Sequence, residues 1–361
     1  GSNHNSRTND NEVVAGRGFW PGLCTSIKHS CTFASYTLLA KADYPAELNI
    51  PLPFSLLSNN AKEDRLEVAP AFWWSHNMYA LARNNWKYKT RDKRITKTQN
   101  IEFDTFAPDS MEEVIQGREL LERWTARAWY RKENKAIDKL SDEQLRAKGR
   151  ELLDGDSKTV DALEVFGENM EKSNRNVLIR RPWRAYRAYG DMLVHYAVMN
   201  ALVYLEANPG ETLTSMSAFL KSRRQREWVN LGGQLMMTTE FDRLRADIRS
   251  GKLASWKDIH KRYNDIWRRY PVDKLRHAYL SLCCLLGVDR MDATLWQKAI
   301  DEEVRIQRYI CDEVYRTRKK DHDNPFRQAT YRNAEEMTAA IGNLEDNSFV
   351  RAIRTGDGVK P

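Results

Sequence analysis

A six-residue spacing of apolar side chains is the feature that most constrains the fold of this sequence. From Ile27 onward it reads IKHSCT, FASYTL, LAKADY and PAELNI, and these blocks open with Ile27, Phe33, Leu39 and Pro45. Six residues per side, with one apolar residue pointing inward, are typical of a triangular left-handed parallel β-helix. The spacing therefore predicts that residues 1–60 form the last coils of such a β-helix. An irregular β-rich segment is the alternative.

The rest of the chain has the periodicity and the capping residues of α-helices. Ser110 and Ser141 each open a capping box, and Pro182 stands at a first helical position ahead of WRAYRAYGDMLVHY. We therefore expect a mainly α fold, in which a bundle of eight to ten helices over residues 61–361 follows the β-rich segment and ends in a frayed tail. Further predicted helices span 214–229, 233–249, 255–269, 272–286 and 292–319.

Composition and charge exclude several classes of protein. The 58 Lys and Arg against 50 Asp and Glu give a formal charge of +8, spread over a densely mixed surface that is typical of simple solvation. Five cysteines, odd in number and without metal-ligand or CxxC spacing, indicate a reducing cytoplasm. No apolar stretch approaches the roughly 20 residues that cross a bilayer. We therefore predict a cytoplasmic protein without a membrane partner and without a metal site.

Several segments within residues 1–130 resemble a known bacterial family. They read NHNSR, GRGFWPGLCTSIKHS, FASYTLLAKADYPAELNIPLPFSLLSN, MYALARNNWKY and IEFDTFAPDS. The family is an uncharacterised domain of unknown function. Its members pair a left-handed β-helix, similar to that of the hexapeptide-repeat transferases, with a helical C-terminal region. The resemblance implies that this chain is the C-terminal part of a longer protein, and that NHNSRTND is a loop from a late coil.

The resemblance also implies an acyltransferase that acts on a sugar or a sugar nucleotide, with acyl-CoA as cofactor. Hexapeptide-repeat acyltransferases generally use a histidine as general base, and His4 and His29 are the candidates for that role here. Asn3, Asn5 and Arg7 would then contact the substrate. The alternative is that His4 only completes the hydrogen bonding of a loop. A homo-oligomer formed through the β-helix is a further expectation.

A pair of carboxylates in IEFDTF offers a second candidate site. Glu102 and Asp104 stand two residues apart in an extended segment, and such a spacing places both side chains on one face. Paired carboxylates act as acid and base or bind a cation, which makes them candidate substrate-binding residues. The alternatives are a solvent-facing edge and an ion pair with the nearby RDKR.

Arginine and aromatic residues alternate in RRPWRAYRAYG, KSRRQREW and RYNDIWRRY. This pattern is typical of stacking and phosphate contacts, so Arg181 and Arg184 are candidate ligand-binding residues. The sequence thus supports a second function, a non-catalytic binding or scaffold module for a phosphorylated ligand or RNA, although nucleic acid is the less expected partner. The alternative is an amphipathic helix with a buried aromatic edge, which the three-to-four spacing from Trp183 to Tyr196 favours. His195 is accordingly predicted to be a hydrogen-bonded core residue.

Overall fold

A computed structural model describes residues 12–355 of the chain. The described residues divide into two compact units, each built from two separate stretches of sequence. The first unit comprises the described chain through Ser75 together with Glu112–Gly190. The second comprises His76–Met111 together with the described chain from Asp191 onward.

Most strands of the first unit are only two residues long and pair in parallel with strands further along the chain. Val14 faces Thr32, and Thr32 in turn faces Asn49. The described strands are β1 (Val14–Ala15), β2 (Trp20–Pro21), β3 (Ser26–Ile27), β4 (Thr32–Phe33), β5 (Leu38–Leu39), β6 (Asp43–Tyr44), β7 (Asn49–Ile50), β8 (Leu56–Asn60), β9 (Arg65–Ala69), β10 (Phe166–Gly167), β11 (Val177–Ile179), β12 (Trp228–Leu231) and β13 (Gln234–Met237).

The prediction of a left-handed β-helix over residues 1–60 is wrong. The described strands form four small sheets with the orders β1-β4-β7, β3-β6, β12-β13 and β10-β11-β9-β8-β5-β2, and the last of these is mixed. Phe33 and Leu39 are buried as the six-residue spacing requires, but the next buried side chain is Tyr44, whereas Pro45 is exposed. Strand β8 then pairs antiparallel with β9, and β9 pairs with β11 from a distant part of the chain. The spacing identified inward-facing side chains, but it carried no information about these distant strand partners.

Thirteen helices make up most of the remaining described chain, so the mainly helical character predicted from the sequence is present. They are α1 (Phe72–His76), α2 (Met78–Arg91), α3 (Pro108–Lys132), α4 (Asp142–Asp154), α5 (Ser157–Asp161), α6 (Pro182–Ala207), α7 (Leu213–Phe219), α8 (Thr238–Arg249), α9 (Trp256–Leu286), α10 (Ala293–Asp323), α11 (Pro325–Gln328), α12 (Ala334–Ile341) and α13 (Ser348–Arg354).

Some of the helix boundaries follow the predicted caps. The Ser141 hydroxyl accepts from Gln144 N, the Gln144 side chain returns the bond, and Pro182 begins α6, so both predictions are confirmed. The predicted cap at Ser110 is wrong, because α3 already begins at Pro108. The Ser110 hydroxyl is instead buried and donates to the Thr105 carbonyl at 2.8 Å.

Two predicted helix pairs are arranged differently in the structure. The segments 255–269 and 272–286 form one helix, α9, which continues through Pro271. Pro271 lies on the exposed side of α9, where water can bond the carbonyl that a proline leaves without its donor. The predicted helices 214–229 and 233–249 are interrupted by the β12–β13 hairpin, whose turn places Gly232 and Gly233 at positive φ.

Helices α3 and α4 of the first unit pack closely because a glycine stands at their contact. A Cβ atom at Gly149 would lie 1.8 Å from the carbonyl oxygen of Glu122. The Glu122 carboxylate is buried beside this contact, where it accepts from Arg146 Nε and Arg150 Nε at 3.2 Å each and from the Tyr186 hydroxyl at 2.9 Å. Backbone proximity and a satisfied buried acid therefore hold these helices together.

Candidate functional site

A groove of about 870 Å³ lies within the second unit, along one face of α10. Residues of α6, α10 and the end of α13 line it. Most of the lining side chains are apolar. They are Val198, Met199 and Leu202 from α6, Ile300, Glu303, Val304, Gln307, Arg308, Cys311 and Asp312 from α10, and Ile353, Arg354 and Thr355 from the end of α13 and the residue after it.

The helix caps and the three-to-four periodicity of α10 explain how these side chains come together. Asp292 caps α10 by accepting from Leu295 N at 2.8 Å, and Asn347 caps α13 by accepting from the amides of Phe349 and Val350. Along α10 the groove-lining positions recur every third or fourth residue, which places them on one face of the helix. In α13, Phe349 is fully buried, and this burial fixes the short helix in place.

Glu303 is the buried acid of the groove, with only 4% of its surface exposed. Its Oε1 atom lies 2.9 Å from His195 Nδ1 and accepts from Gln307 Nε2 at 2.5 Å. Its Oε2 atom is also buried, and within residues 12–355 it has no hydrogen-bond partner. Buried carboxylates are normally paired or fully hydrogen-bonded, so half of this carboxylate is unsatisfied in an apolar surrounding.

His195 and Gln307 hold the Glu303 carboxylate in position. The His195 ring also packs edge-on against Phe106, with the ring centroids 5.3 Å apart, and Gln307 Nε2 lies 3.4 Å from the sulfur of Met199. His195 does not belong to the groove lining, so it supports Glu303 from behind. His195 is hydrogen-bonded, as the sequence predicted, but it is partly buried rather than fully in the core, with 12% of its side chain exposed.

The thiol of Cys311 also lines the groove. Burial, followed by the charge of Asp312, raises the pKa of this thiol. Its Sγ lies 3.8 Å from the carbonyl oxygen of Ile353, to which it donates. Because the thiolate is the reactive form of cysteine, a raised pKa makes Cys311 a poor nucleophile at neutral pH.

The other charged groups of the lining lie at the rim. Arg308 and Asp312 are exposed on α10. Arg354 is exposed on α13, where it pairs with Glu345 at 2.6 Å and places its guanidinium carbon 4.5 Å from the centre of the Tyr315 ring. The groove thus has charged, hydrated edges and an apolar interior that contains one carboxylate.

The two carboxylates predicted from IEFDTF share one cation elsewhere in the second unit. Lys274 Nζ on α9 lies 3.0 Å from Glu102 Oε2 and 2.9 Å from Asp104 Oδ2. The Tyr270 hydroxyl donates to Glu102 at 2.5 Å, and Asn85 Nδ2 donates to Asp104 at 2.9 Å. The predicted common face is therefore seen, but the partner lies 170 residues beyond Asp104 rather than in RDKR.

Charge compensation dominates this cluster. Burial alone would raise the pKa of Asp104, but the charge and hydrogen bond of Lys274, together with hydrogen bonds from the Phe106 amide and Asn85, lower that pKa. Burial alone would lower the pKa of Lys274, but Asp104 and Glu102 together raise it. Asp104 and Lys274 are therefore held in their charged forms, and the cluster ties the 99–107 segment to α9. This arrangement is that of a structural ion pair, in which the carboxylates already have a cation.

The remaining predicted site residues are scattered or lie outside the described chain. His4, Asn3, Asn5 and Arg7 all precede residue 12 and are outside the described residues. In the first unit, His29 is half-buried in the bend between β3 and β4. Arg181 is exposed and has a φ of +50°, and Arg184 donates to the Ser75 carbonyl at 3.3 Å.

The aromatic residues that alternate with arginines in α6 contribute to packing within the first unit. Trp183 Nε1 donates to the Gly155 carbonyl at 3.0 Å, and Tyr186 and Tyr189 are buried. Arg187 donates to the Asp154 carbonyl at 3.2 Å and lies over the Trp183 ring. These contacts agree with the amphipathic-helix alternative for this stretch.

Glu303 was missed in the sequence, although one signal was available. The buried stripe of α10 includes Trp296, Ala299, Ile306 and Ile310, and Glu303 occupies the position in that stripe where an apolar residue is expected. An acid at a core position of an amphipathic helix destabilises the fold unless a cation or hydrogen-bond donors compensate its charge. Such a residue is a stronger functional candidate than the carboxylates of a polar loop.

Comparison with known proteins finds a similar protein whose activity is not characterised. An uncharacterised protein of Treponema pallidum (strain Nichols) is 40% identical over 354 residues, which cover 97% of this chain and 47% of that protein. The chain therefore spans about half the length of the curated relative it matches. No family model matches the chain. No solved structure matches it either.

The match is to one uncharacterised bacterial protein, which agrees with the coarser part of the resemblance seen in the N-terminal segments. Nothing in the comparisons supports the finer resemblance, in which a hexapeptide-repeat β-helix is paired with a helical region. Among the described residues, every helix is too short or too polar to span a lipid bilayer.

Proposed function

We propose that this chain is a non-catalytic binding module whose ligand occupies the groove between α6, α10 and α13. The observation that carries the proposal is the buried, unpartnered Oε2 of Glu303 in an apolar lining. Small-molecule sites are typically concave and mostly apolar, with a few placed polar groups and a volume of about 300–1,000 Å³. A groove of about 870 Å³ with one positioned carboxylate has these properties.

Binding without catalysis is favoured because the groove lacks an activated group. The raised pKa of Cys311 keeps its sulfur in the thiol form. His195 stands behind Glu303 rather than in the lining, so its ring does not face the groove as a general base would. The interior of the groove therefore offers shape, apolar surface and the Glu303 carboxylate.

Nile red, a neutral dye that fluoresces in apolar sites, tests the proposal. Leu202 lines the groove and is 46% exposed, so Leu202→Trp fills the groove without overpacking the core. Val203, the next residue of α6, is 44% exposed and does not belong to the lining, so Val203→Trp is the matched control. We expect saturable binding that weakens at least about tenfold, roughly 1.4 kcal/mol, in the Leu202 variant alone. Equal affinity in both variants, or no saturable binding by the unmodified chain, would overturn the proposal.

A second candidate function is the predicted binding of a phosphorylated ligand or RNA. The exposed loop KSRRQR between α7 and β12 favours it, since Lys221, Arg223 and Arg226 have no acidic partner among the described residues. Unpaired cations in one exposed loop are suited to phosphate contacts.

Retention on immobilised poly(U) at increasing salt tests the polyanion function. The variant Lys221→Gln/Arg223→Gln/Arg226→Gln is compared with Lys252→Gln/Lys319→Gln/Arg332→Gln, which removes the same charge from exposed residues that pair with neighbouring acids. We expect the loop variant alone to elute at lower salt, with the log–log salt slope reduced by about 0.7 for each phosphate that the loop no longer neutralises. Salt-independent retention, or equal elution of the two variants, would contradict this function.

Acyl transfer to a sugar or nucleotide sugar, with acyl-CoA as cofactor, stays a prediction. It does not carry the proposal, because one base candidate, His4, lies outside the described residues, and the coil fold that the role of His4 or His29 required is not observed. A homo-oligomer formed through that β-helix loses its structural basis in the same way. A cytoplasmic location also stays a prediction.

A further inference from the structure

The charge of Glu303 is poorly compensated for a buried carboxylate. Within residues 12–355 its one ion-pair contact is His195, which carries a charge only when it is protonated. The neighbouring cation Arg305 is already paired with Asp191 and Glu302. A buried carboxylate costs several kcal/mol unless a cation or several donors satisfy it. The Glu102–Lys274 pair shows how the same unit compensates an acid elsewhere.

The geometry of this carboxylate defines which group would complete it. Its Oε1 atom already contacts His195 and Gln307, so the buried Oε2 is the carboxylate oxygen that is left without a donor. A quaternary ammonium has no N–H to donate, and an anion would be repelled. A hydroxyl would donate, but it would not neutralise the charge. A protonated primary amine does both through one compact group.

The remainder of the ligand is defined by the apolar lining. Val198, Leu202, Ile300, Val304 and Ile353 present aliphatic surface from all three helices. The other charged groups, Arg308, Asp312 and Arg354, are exposed at the rim, where water and salt screen them. An aliphatic chain is therefore the part that buries favourably in the groove, at about 25 cal/mol per Å² of apolar surface removed from water.

We infer that the groove binds an amphipathic primary amine, with its ammonium group donating to Glu303 Oε2 and its aliphatic chain lying along α10. This inference rests on the proposed binding function, since it names the class of ligand for the same groove. It is independent of the Lys221–Arg226 loop, which would take ligands of the opposite charge.

Three probes with the same ten-carbon chain test the inference: decylamine and decanoate, each below its micelle concentration, and decanol below its solubility limit, all at pH 7. Each is titrated against bound Nile red. We expect decylamine to displace the dye at a concentration at least about tenfold lower than decanol, because only the amine neutralises Glu303. Decanoate is expected to be the weakest of the three.

A pair of neighbouring variants isolates Glu303. Glu303→Gln removes the charge and keeps the shape, and Glu302→Gln removes the same charge from a 44%-exposed position outside the lining. We expect Glu303→Gln to lose at least about nine-tenths of the preference for amine over alcohol while it still binds decanol. Glu302→Gln should keep that preference. Urea unfolding of both variants checks that each is folded.

The outcomes distinguish a wrong ligand class from a wrong binding function. If Nile red binds in the groove but the three probes compete equally, or Glu303→Gln keeps the amine preference, then the ligand class is wrong and the binding function stands. If Nile red shows no groove-dependent binding, both are wrong. A preference for decanoate would point to the rim arginines and would contradict the role given to Glu303.

Discussion

His195 Nδ1 lies 2.9 Å from Glu303 Oε1, and the opposite oxygen of the same carboxylate is buried without a partner among residues 12–355. The imidazole therefore fixes the orientation of the acid while leaving one acceptor unused. A buried carboxylate oxygen without a donor destabilises the folded state. A ligand that donates to this oxygen would therefore stabilise the second unit.

The His195–Glu303 contact should be measurable as a coupling energy. His195→Ala leaves a buried carboxylate oxygen with one donor fewer, so we expect a loss of about 1–3 kcal/mol in the free energy of unfolding. In a Glu303→Gln background the same change should cost less, because an amide is cheaper to leave unsatisfied than a carboxylate. Urea unfolding of the four proteins measures the coupling. Strict additivity would contradict the contact.

Removal of Lys274, which Glu102 and Asp104 share, should destabilise the second unit more than removal of an exposed lysine from the same helix. Lys274→Met leaves the buried Glu102 and the largely buried Asp104 without their cation, and breaking a buried ion pair in this way costs about 3–5 kcal/mol. Lys257→Met, at an exposed position of the same helix, should change the unfolding free energy by less than about 0.5 kcal/mol. Similar effects from both substitutions would show that the cluster is not structural.

The same cluster predicts a dependence of stability on acid pH. Lys274 lowers the pKa of Asp104 in the folded state, so in the window just below the ordinary aspartate value of about 3.9 the unfolded chain binds more protons. The contribution of Asp104 is therefore complete above that window and is lost as the pH falls through it. Urea midpoints between pH 6 and pH 2.5 should fall less steeply for Asp104→Asn than for Asp312→Asn, which removes an exposed carboxylate. Parallel profiles would contradict this assignment.

Gly149 should tolerate no side chain. Gly149→Ala would place a methyl group 1.8 Å from the Glu122 carbonyl oxygen, so α3 and α4 must separate and the first unit should lose at least about 1–3 kcal/mol. Gly210→Ala is the control, because a Cβ there meets nothing within 4 Å. Thermal unfolding compares them, and an unchanged midpoint for Gly149→Ala would mean that the two helices do not approach so closely.

Local features of the fold were accessible from the sequence, and the partners of its strands were not. The capping box at Ser141 and the start of α6 at Pro182 depend on residues next to one another, and both predictions are confirmed. The six-residue spacing correctly marked Phe33 and Leu39 as buried. The partners of β8 and β9, however, include β11 near residue 178, and no local pattern encodes such a pairing.

In the candidate sites, too, local features were predictable from the sequence and partners distant in the chain were not. Glu102 and Asp104 were recognised as a pair, but the partner that makes them structural, Lys274, comes from a helix distant in sequence. The groove depends on three helices that are likewise far apart in the chain, so no local pattern outlined it. Glu303 alone carried a readable signal, as an acid within the buried stripe of α10.

Alkylation of Cys311 tests the central claim most directly, because this thiol lines the groove and reports on its occupation. The rate of modification by iodoacetamide, resolved by peptide mass spectrometry, is measured with and without saturating Nile red. Cys24 and Cys284 are exposed and serve as internal controls. A bound ligand should slow modification of Cys311 at least about fivefold and leave both controls unchanged, since a thiol must be accessible to react. An unchanged rate at Cys311 under saturation would show that the ligand does not occupy the groove.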